Sequence, residues 1–406
     1  MKKTIISVLL VMVLVSSVFG ASYSPDSTAY KLVGQAYSST STRLTGMGGA
    51  GLGVEEYADS FLVNPANLGR GKFSISLPTV TVTMFNPKKL LDGNFFPDLK
   101  TYMNSKNNSD LIAVATDLLS TLSKGQNEVE RVDAGFHFTA GPVGFAVQAQ
   151  ERMFGYLDGS DFTSGKYIAE VTAAATLGLG FRIPVGRTDD WSFDIGASAQ
   201  FIYKMYTESI TSNEVLGIID KSVDFMNDIR LMSGYAIPIT VGVNANMPFG
   251  FKVSAVGRNI NGKYKYTIND SVNNWKNNFS FGGIFSSKTD FTYDEGFSLD
   301  GGVTWKAPVG DFGKWIAPTL SVDVLDILHI NSDMPFLAHL YAGAQVRLLS
   351  FLDVRYGVAQ GYQSVGVGLD LLIFHIDASY WRASYGAKYL DKSIDAFSLR
   401  FTIGTK

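Results

Sequence analysis

The 406-residue chain contains no cysteine, which excludes disulfide frameworks, thiolate metal sites and cysteine nucleophiles together. Histidine is scarce: His137, His329, His339 and His375 stand far apart, without the spacing of metal ligands. Charge is sparse as well. Asp, Glu, Lys and Arg make up 17% of the residues, against about a quarter in soluble chains. The net charge of −3 gives no basic field to attract nucleic acid. After residue 20 no stretch approaches the ~18 uninterrupted apolar residues of a spanning helix; the nearest, 173–186, is broken by Arg182, Pro184 and several glycines. What the sequence has in quantity is glycine (41), phenylalanine (28) and tyrosine (19), a composition unlike that of a disordered tail or a coiled coil.

The first twenty residues have the layout of a secretory signal peptide. Lys2 and Lys3 precede an apolar stretch from Ile5 to Val15, and Val18-Phe19-Gly20 offers a cleavage site before Ala21. An exported, hydrophobic chain without a spanning helix is either a soluble β-protein or an outer-membrane barrel, because a closed barrel is the only spanning alternative to helices.

Alternation favours the barrel. From Tyr167 to Phe181 the odd positions are apolar, while the even positions include Glu170, Thr172, Thr176 and Arg182 just beyond. Trp191, Phe193, Ile195, Ala197, Ala199, Phe201 and Tyr203 alternate in the same way with Ser192, Asp194, Ser198, Gln200 and Lys204. This period of two marks strands. The fourteen steps from Tyr167 to Phe181 span roughly 46 Å at about 3.3 Å per residue, and roughly 35 Å when tilted by about 40°. That covers an apolar band of about 25 Å with an aromatic girdle at each end.

Fourteen such segments are predicted, near 72–84, 128–140, 142–153, 166–183, 191–206, 236–247, 249–261, 296–307, 315–326, 338–348, 351–359, 363–371, 374–382 and 395–404. Short connections alternate with long ones at 85–127, 154–165, 207–235, 262–295, 327–337 and 383–394, the pattern of an outer-membrane barrel with extracellular loops and both termini periplasmic. Parity assigns 279–285 to a loop. Helices are expected in two of the long loops. Leu111, Ala115, Leu118 and Leu122 recur behind a cap at Ser109, and Val215, Ile219, Val223, Met226 and Ile229 behind a cap at Ser212. Their apolar faces either pack at the barrel mouth or line a site for a hydrophobic ligand.

Residues 21–71 lack strand alternation. They hold Leu44-Thr45-Gly46-Met47-Gly48-Gly49-Ala50-Gly51, an acidic stretch with Glu55, Glu56 and Asp59, and Asn64-Pro65-Ala66-Asn67-Leu68-Gly69. Gly46-x-Gly48-x-x-Gly51 has dinucleotide-fingerprint spacing but lacks the βαβ context that motif needs. A glycine-rich segment followed by Asn-Pro-Ala, set between a signal peptide and a barrel, resembles the long-chain fatty-acid transporter (FadL/TodX) family of outer-membrane proteins, in a spirochaetal, treponeme-type branch. The motif covers residues 44–69, and Asn67 stands where the family commonly has glycine. The resemblance implies that residues 21–71 plug the lumen as a hatch, with Gly46, Gly48, Gly49, Asn64, Pro65 and Ala66 among its residues. It also implies uptake of long-chain fatty acids or similar hydrophobic molecules.

The chain then divides into a signal peptide (1–20), a hatch (21–71) and an all-β, antiparallel transmembrane barrel (72–406). No catalytic residues, metal or cofactor are expected. His375 shares a strand face with Asp377, and Glu170 with Arg182, which is an ordinary barrel lining. Inward-facing Arg152, Arg182, Lys204 and Arg258 are candidate contacts for a ligand carboxylate, with Glu151, Glu170 and Asp194 as competing partners. Expected partners are a hydrophobic ligand, outer-membrane lipid and the barrel-assembly machinery. The alternative function is a surface barrel without transport, such as an adhesin or a subunit of secretion machinery.

Overall fold

The computed structural model describes Tyr37 and residues 41–405 apart from 121–124, 158–164, 186–190, 220, 287 and 385–387. The signal peptide, most of 21–40, and Leu122 of the first loop pattern lie outside the described residues.

Alternating segments pair with their neighbours into a closed antiparallel ring of fourteen staves. The first five are β1 (Ser74–Phe85), β2 (Gly125–Ala140), β3 (Val143–Leu157), β4 (Gly165–Pro184) and β5 (Ser192–Thr207). A two-residue strand, β6 (Ile210–Thr211), adds to the edge of β4. The next three staves are each built from two strands: β7 (Leu231–Ala236) with β8 (Ile239–Asn246), β9 (Phe251–Ile260) with β10 (Lys263–Asn269), and β11 (Phe291–Asp294) with β12 (Ser298–Lys306). The ring continues through β13 (Ile316–Val324), β14 (Leu340–Leu348), β15 (Leu352–Ala359), β16 (Tyr362–Leu371), β17 (Phe374–Ser384) and β18 (Ser393–Gly404). β18 returns to β1, with Val80 opposite Phe401 and Met84 opposite Phe397, so no edge is left open.

The parity of side chains follows the sequence. On β4 the odd residues from Val171 to Ile183 face outward and the even ones from Thr172 to Gly180 are buried. Those twelve steps make an apolar band of roughly 30 Å when tilted by about 40°, the depth of a bilayer's hydrocarbon core. Rows of the same kind run round the ring, among them Val241 and Val243, Leu320 and Val322, Val354 and Tyr356, and Leu399 and Phe401. At the short-turn rim, Phe73, Trp191, Phe249, Phe312 and Trp315 are exposed, which suits an interfacial girdle.

Several expectations need correction. Tyr167 is no girdle residue: it is buried and accepts a hydrogen bond from Ser212 Oγ at 3.2 Å, under the helix Ser212–Ile219. The staves also reach further toward the long loops than expected, through β7, β10 and β11. In β10 the alternation is inverted, with Tyr264 and Tyr266 inward and Lys263 and Lys265 outward, so a pattern of apolar-out residues does not find it. Finally, the loop helices fold over the outer wall, not the mouth. Leu119 of the helix Asn108–Ser120 packs with Met153, Leu157, Tyr167 and Val215. The second helical pattern breaks at Ile219 and resumes only as Phe225–Asp228, leaving Ile229 outside. The caps shift as well. Asn107 Oδ1 accepts the Asp110 amide, and Thr211 exchanges hydrogen bonds with Glu214 in a capping box. Residues 281–286 form a helix, in keeping with their loop assignment.

Candidate functional site

Residues 41–71 run inside the ring. The short helix Thr42–Gly46 sits against β15 to β18, with Thr42 Oγ1 3.0 Å from Ser398 Oγ and Thr45 Oγ1 2.8 Å from Ser379 Oγ. Gly48 and Gly49 then turn the chain with φ of 66° and 80°, a region that favours glycine. Next, Asp323 of β13 accepts the amides of Gly51 and Leu52 at 2.6 and 3.0 Å. Lys252 of β9 donates to the Gly53 carbonyl at 3.0 Å. The helix Ser60–Val63 and the 3-10 turn Pro65–Arg70 finish the path against β4, β5 and β8.

The Asn-Pro-Ala corner is the most tightly bonded part. Asn64 is fully buried. Its Nδ2 donates to the Leu52 carbonyl at 3.1 Å and to Asn244 Oδ1 at 2.8 Å, while its Oδ1 accepts the Ala66 amide at 3.0 Å. Asn67 closes the same network. Its Oδ1 accepts from Asn244 Nδ2 at 2.9 Å, and its own Nδ2 lies 3.2 to 3.4 Å from the carbonyls of Ser60, Val54 and Leu52. Asn67 thus ties the corner to the wall through Asn244.

The wall makes room with glycines that sequence reasoning passed over. A Cβ on Gly196 would lie 2.3 Å from the Pro65 carbonyl oxygen, on Gly242 2.0 Å from Asn64 Oδ1, on Gly343 2.3 Å from the Met47 carbonyl oxygen, and on Gly357 2.1 Å from the Gly48 amide. Inward parity on an alternating strand was the available signal: glycine at such a place admits a close backbone approach.

Charges hold the same segment. Asp59 lies 2.7 Å from Arg400 and 3.4 Å from Arg43. Burial alone would raise its carboxyl, but those two guanidinium groups hold it well below the ordinary carboxylate range. Toward the short-turn rim, Glu55 pairs with Lys252 at 2.6 Å and Arg70 at 3.7 Å, and Glu56 with Lys306 and, at 4.0 Å, Arg347. These six residues line a cavity of about 520 Å³ between the segment and the rim.

The long-loop half of the lumen holds an apolar cluster among buried charges. Phe154, Ile168, Ile202, Tyr206, Met232, Tyr264 and Tyr266 point inward, pack with Tyr37, and are closed from solvent. Tyr264 stacks on Tyr266 at 5.7 Å and Tyr266 on Phe291 at 5.1 Å. Barrel interiors are ordinarily polar. A search for alternating apolar-out strands misses this lining because its apolar residues have the opposite parity.

Of the four candidate cations, two come together here. Arg152 bonds Glu128 at 2.8 Å, lies 3.9 Å from Glu170 and sits over the Phe154 ring. Lys204 is 4.0 Å from Glu170, 3.8 Å from Glu295 and 5.1 Å from the Tyr264 ring centroid. Glu170 thus joins both cations beside the aromatic cluster. Arg258 stands apart, bonded to Asp300 at 2.5 Å and to the Val63 carbonyl at 2.6 Å, where it holds the inner segment. Arg182 lies at the short-turn rim with Ser192 and Asp194. Glu151 partners none of them, because it lies on the outward row with Phe145 and Val147; Glu128 takes that role. His375 bonds Asp370 at 2.7 Å and Asp377 bonds Arg355 at 2.5 Å, so their shared face does not make them a pair.

No family model and no curated protein matches the chain. Among solved structures it is similar to the CymD monoaromatic hydrocarbon channel (10% identity, TM-score 0.46, 89% of this chain and 96% of that one). It is also similar to the Ralstonia pickettii toluene transporter TbuX (11%, 0.45, 90% and 98%) and to a Pseudomonas aeruginosa FadL homologue (9%, 0.41, 90% and 97%). Likenesses this remote leave the functional reading to the chain's own geometry.

Proposed function

We propose that the chain is an outer-membrane channel for hydrophobic small molecules, long-chain fatty acids among them. The aromatic cluster carries the reading: an inward apolar surface suits a hydrophobic molecule, and Arg152 and Lys204, held by Glu128, Glu170 and Glu295, would meet an acidic end by exchanging those partners. Residues 41–71 act as the hatch of residues 21–71, with Gly46, Gly48, Gly49, Asn64, Pro65 and Ala66 forming its turns. The outward apolar band and the exposed rim aromatics support residence in a membrane. On this reading the long loops are extracellular, the short turns periplasmic, and the chain is delivered by barrel-assembly machinery. Asn64-Pro65-Ala66 supports membership of the fatty-acid transporter family.

The test is binding of a fluorescent long-chain fatty acid to the purified barrel, with toluene as a competitor. Saturable binding that weakens in Tyr266→Ala is expected. No binding of either probe by a folded barrel would overturn the proposal in favour of a surface barrel without transport.

A further inference from the structure

Where β1 ends, Asn86 adopts a left-handed conformation (φ 51°) and donates its amide to the Asp395 carbonyl at 2.8 Å. Pro87 then starts a helix, Pro87–Asp92, that turns back over the outside of the ring. Leu90 anchors it, buried at 1% exposure against Phe95 and Val114 of the next two helices. Between this helix and the wall lies a groove of about 450 Å³, within the size range of ligand pockets.

The groove's floor is Met84, Tyr380 and Phe397, outward residues of three neighbouring staves; Pro87, Leu91 and Phe96 roof it. Lys88 and Asp92, paired at 2.5 Å, stand at its edge. Almost nothing in the lining is polar, so water there would lack the two to four partners that hold an ordered molecule. The floor belongs to the same outward rows as Val82, Leu399 and Phe401 of the membrane-facing band. In a membrane-resident barrel the groove is therefore a roofed extension of the lipid-facing surface. Leu91 and Phe96 are exposed, at 69% and 43%, and such residues at a wet surface need a cover.

We infer that this groove holds one acyl chain of a membrane phospholipid, drawn from the leaflet at the long-loop rim. The inference rests on membrane residence as proposed above, and on no property of the lumen.

The full chain is reconstituted into phosphatidylethanolamine vesicles containing a phosphatidylethanolamine with a diazirine in one acyl chain, then irradiated and mapped by peptide mass spectrometry. Labelling within residues 84–96 and at Phe397 is expected to exceed, severalfold, that of the open outward row at Val354, Tyr356, Val365 and Val367. Leu91→Trp, which fills the groove from an exposed position, is expected to reduce the groove signal to the level of that row. Phe96→Trp serves in the same way if the first variant loses its heat-modifiable form. Groove labelling equal to the open row, or unchanged in a folded groove-filled variant, overturns the inference. So does labelling by a free diazirine fatty acid but not by the phospholipid, since the occupant would then be a free ligand. A chain labelled nowhere on its outer wall would instead contradict membrane residence itself.

Discussion

Asn64 makes three buried hydrogen bonds from one side chain, two of them within the inner segment and one to the wall. Asn64→Ala leaves the Ala66 amide without its acceptor, a loss of about 1–3 kcal/mol. The undocked population of the segment should rise roughly 5- to 150-fold by the same arithmetic, seen as more frequent opening in planar-bilayer recordings. Gly242→Ala should act from the other side, since its Cβ would meet Asn64 Oδ1 at 2.0 Å. The effects should be strongly non-additive in the double variant, because the first change removes the atom the second strikes. Additive effects would mean that the two residues do not face each other. Asp59 sets a pH expectation. Its folded-state pKa is depressed by Arg400 and Arg43 after burial has opposed the shift. The stabilisation it contributes is therefore complete above its ordinary value of 3.8 and is lost as pH falls through the folded-state value. Opening should stay independent of this group from neutral pH down to about pH 5, with leak appearing only in stronger acid. Asp59→Asn should leak even at neutral pH.

Between the inner segment and the short-turn rim the contact is acid against base: Glu55 and Glu56 face Lys252, Lys306 and Arg347 of the wall. Such partly exposed pairs contribute about 0.2–1 kcal/mol each and are screened by salt. Glu55→Gln with Glu56→Gln should raise channel opening severalfold at low salt. Raising the salt to about 1 M, where the Debye length is about 3 Å, should bring the wild type close to the variant. A salt response of equal size in both would assign the effect elsewhere. At this scale the sequence was partly legible. Loop helices declared themselves by spacing, but their caps at Asn107 and Thr211 and the break after Ile219 depend on local hydrogen bonds that an apolar period does not encode. The faces they cover could not be deduced either, since outer wall and mouth are both apolar surfaces to an amphipathic helix. Inward parity placed Arg152 and Lys204 on the lumen wall, but it did not reveal Glu128, which binds Arg152 across a register shift at Glu128–Glu130.

For the whole molecule, fourteen staves were legible because one rule holds on strand after strand, apolar outward over a fixed depth, as a bilayer would impose. That rule lapses above the band, which is why β7, β10 and β11 and their inward tyrosines escaped it. Strand number also sets the lumen: fourteen lies between barrels of eight strands filled by side chains and those of 16–18 with an open channel, which leaves space for a folded segment. The ring closes through β1 and β18 without help from residues 41–71. The groups the segment would abandon are mostly polar, among them Asp323, Lys252, Arg258 and Arg400. Water entering the lumen can solvate all of them, so the barrel should survive their loss, unlike a core stripped of an apolar element. Deleting 41–71 should therefore yield a heat-modifiable barrel with a large, steady single-channel conductance in place of brief openings. The aromatic cluster has no member from 41–71 and should remain, so the fluorescent fatty acid should still bind. A deleted chain that folds and conducts no better than the wild type would show that the aromatic cluster alone closes the pore, and that residues 41–71 brace the wall without gating it.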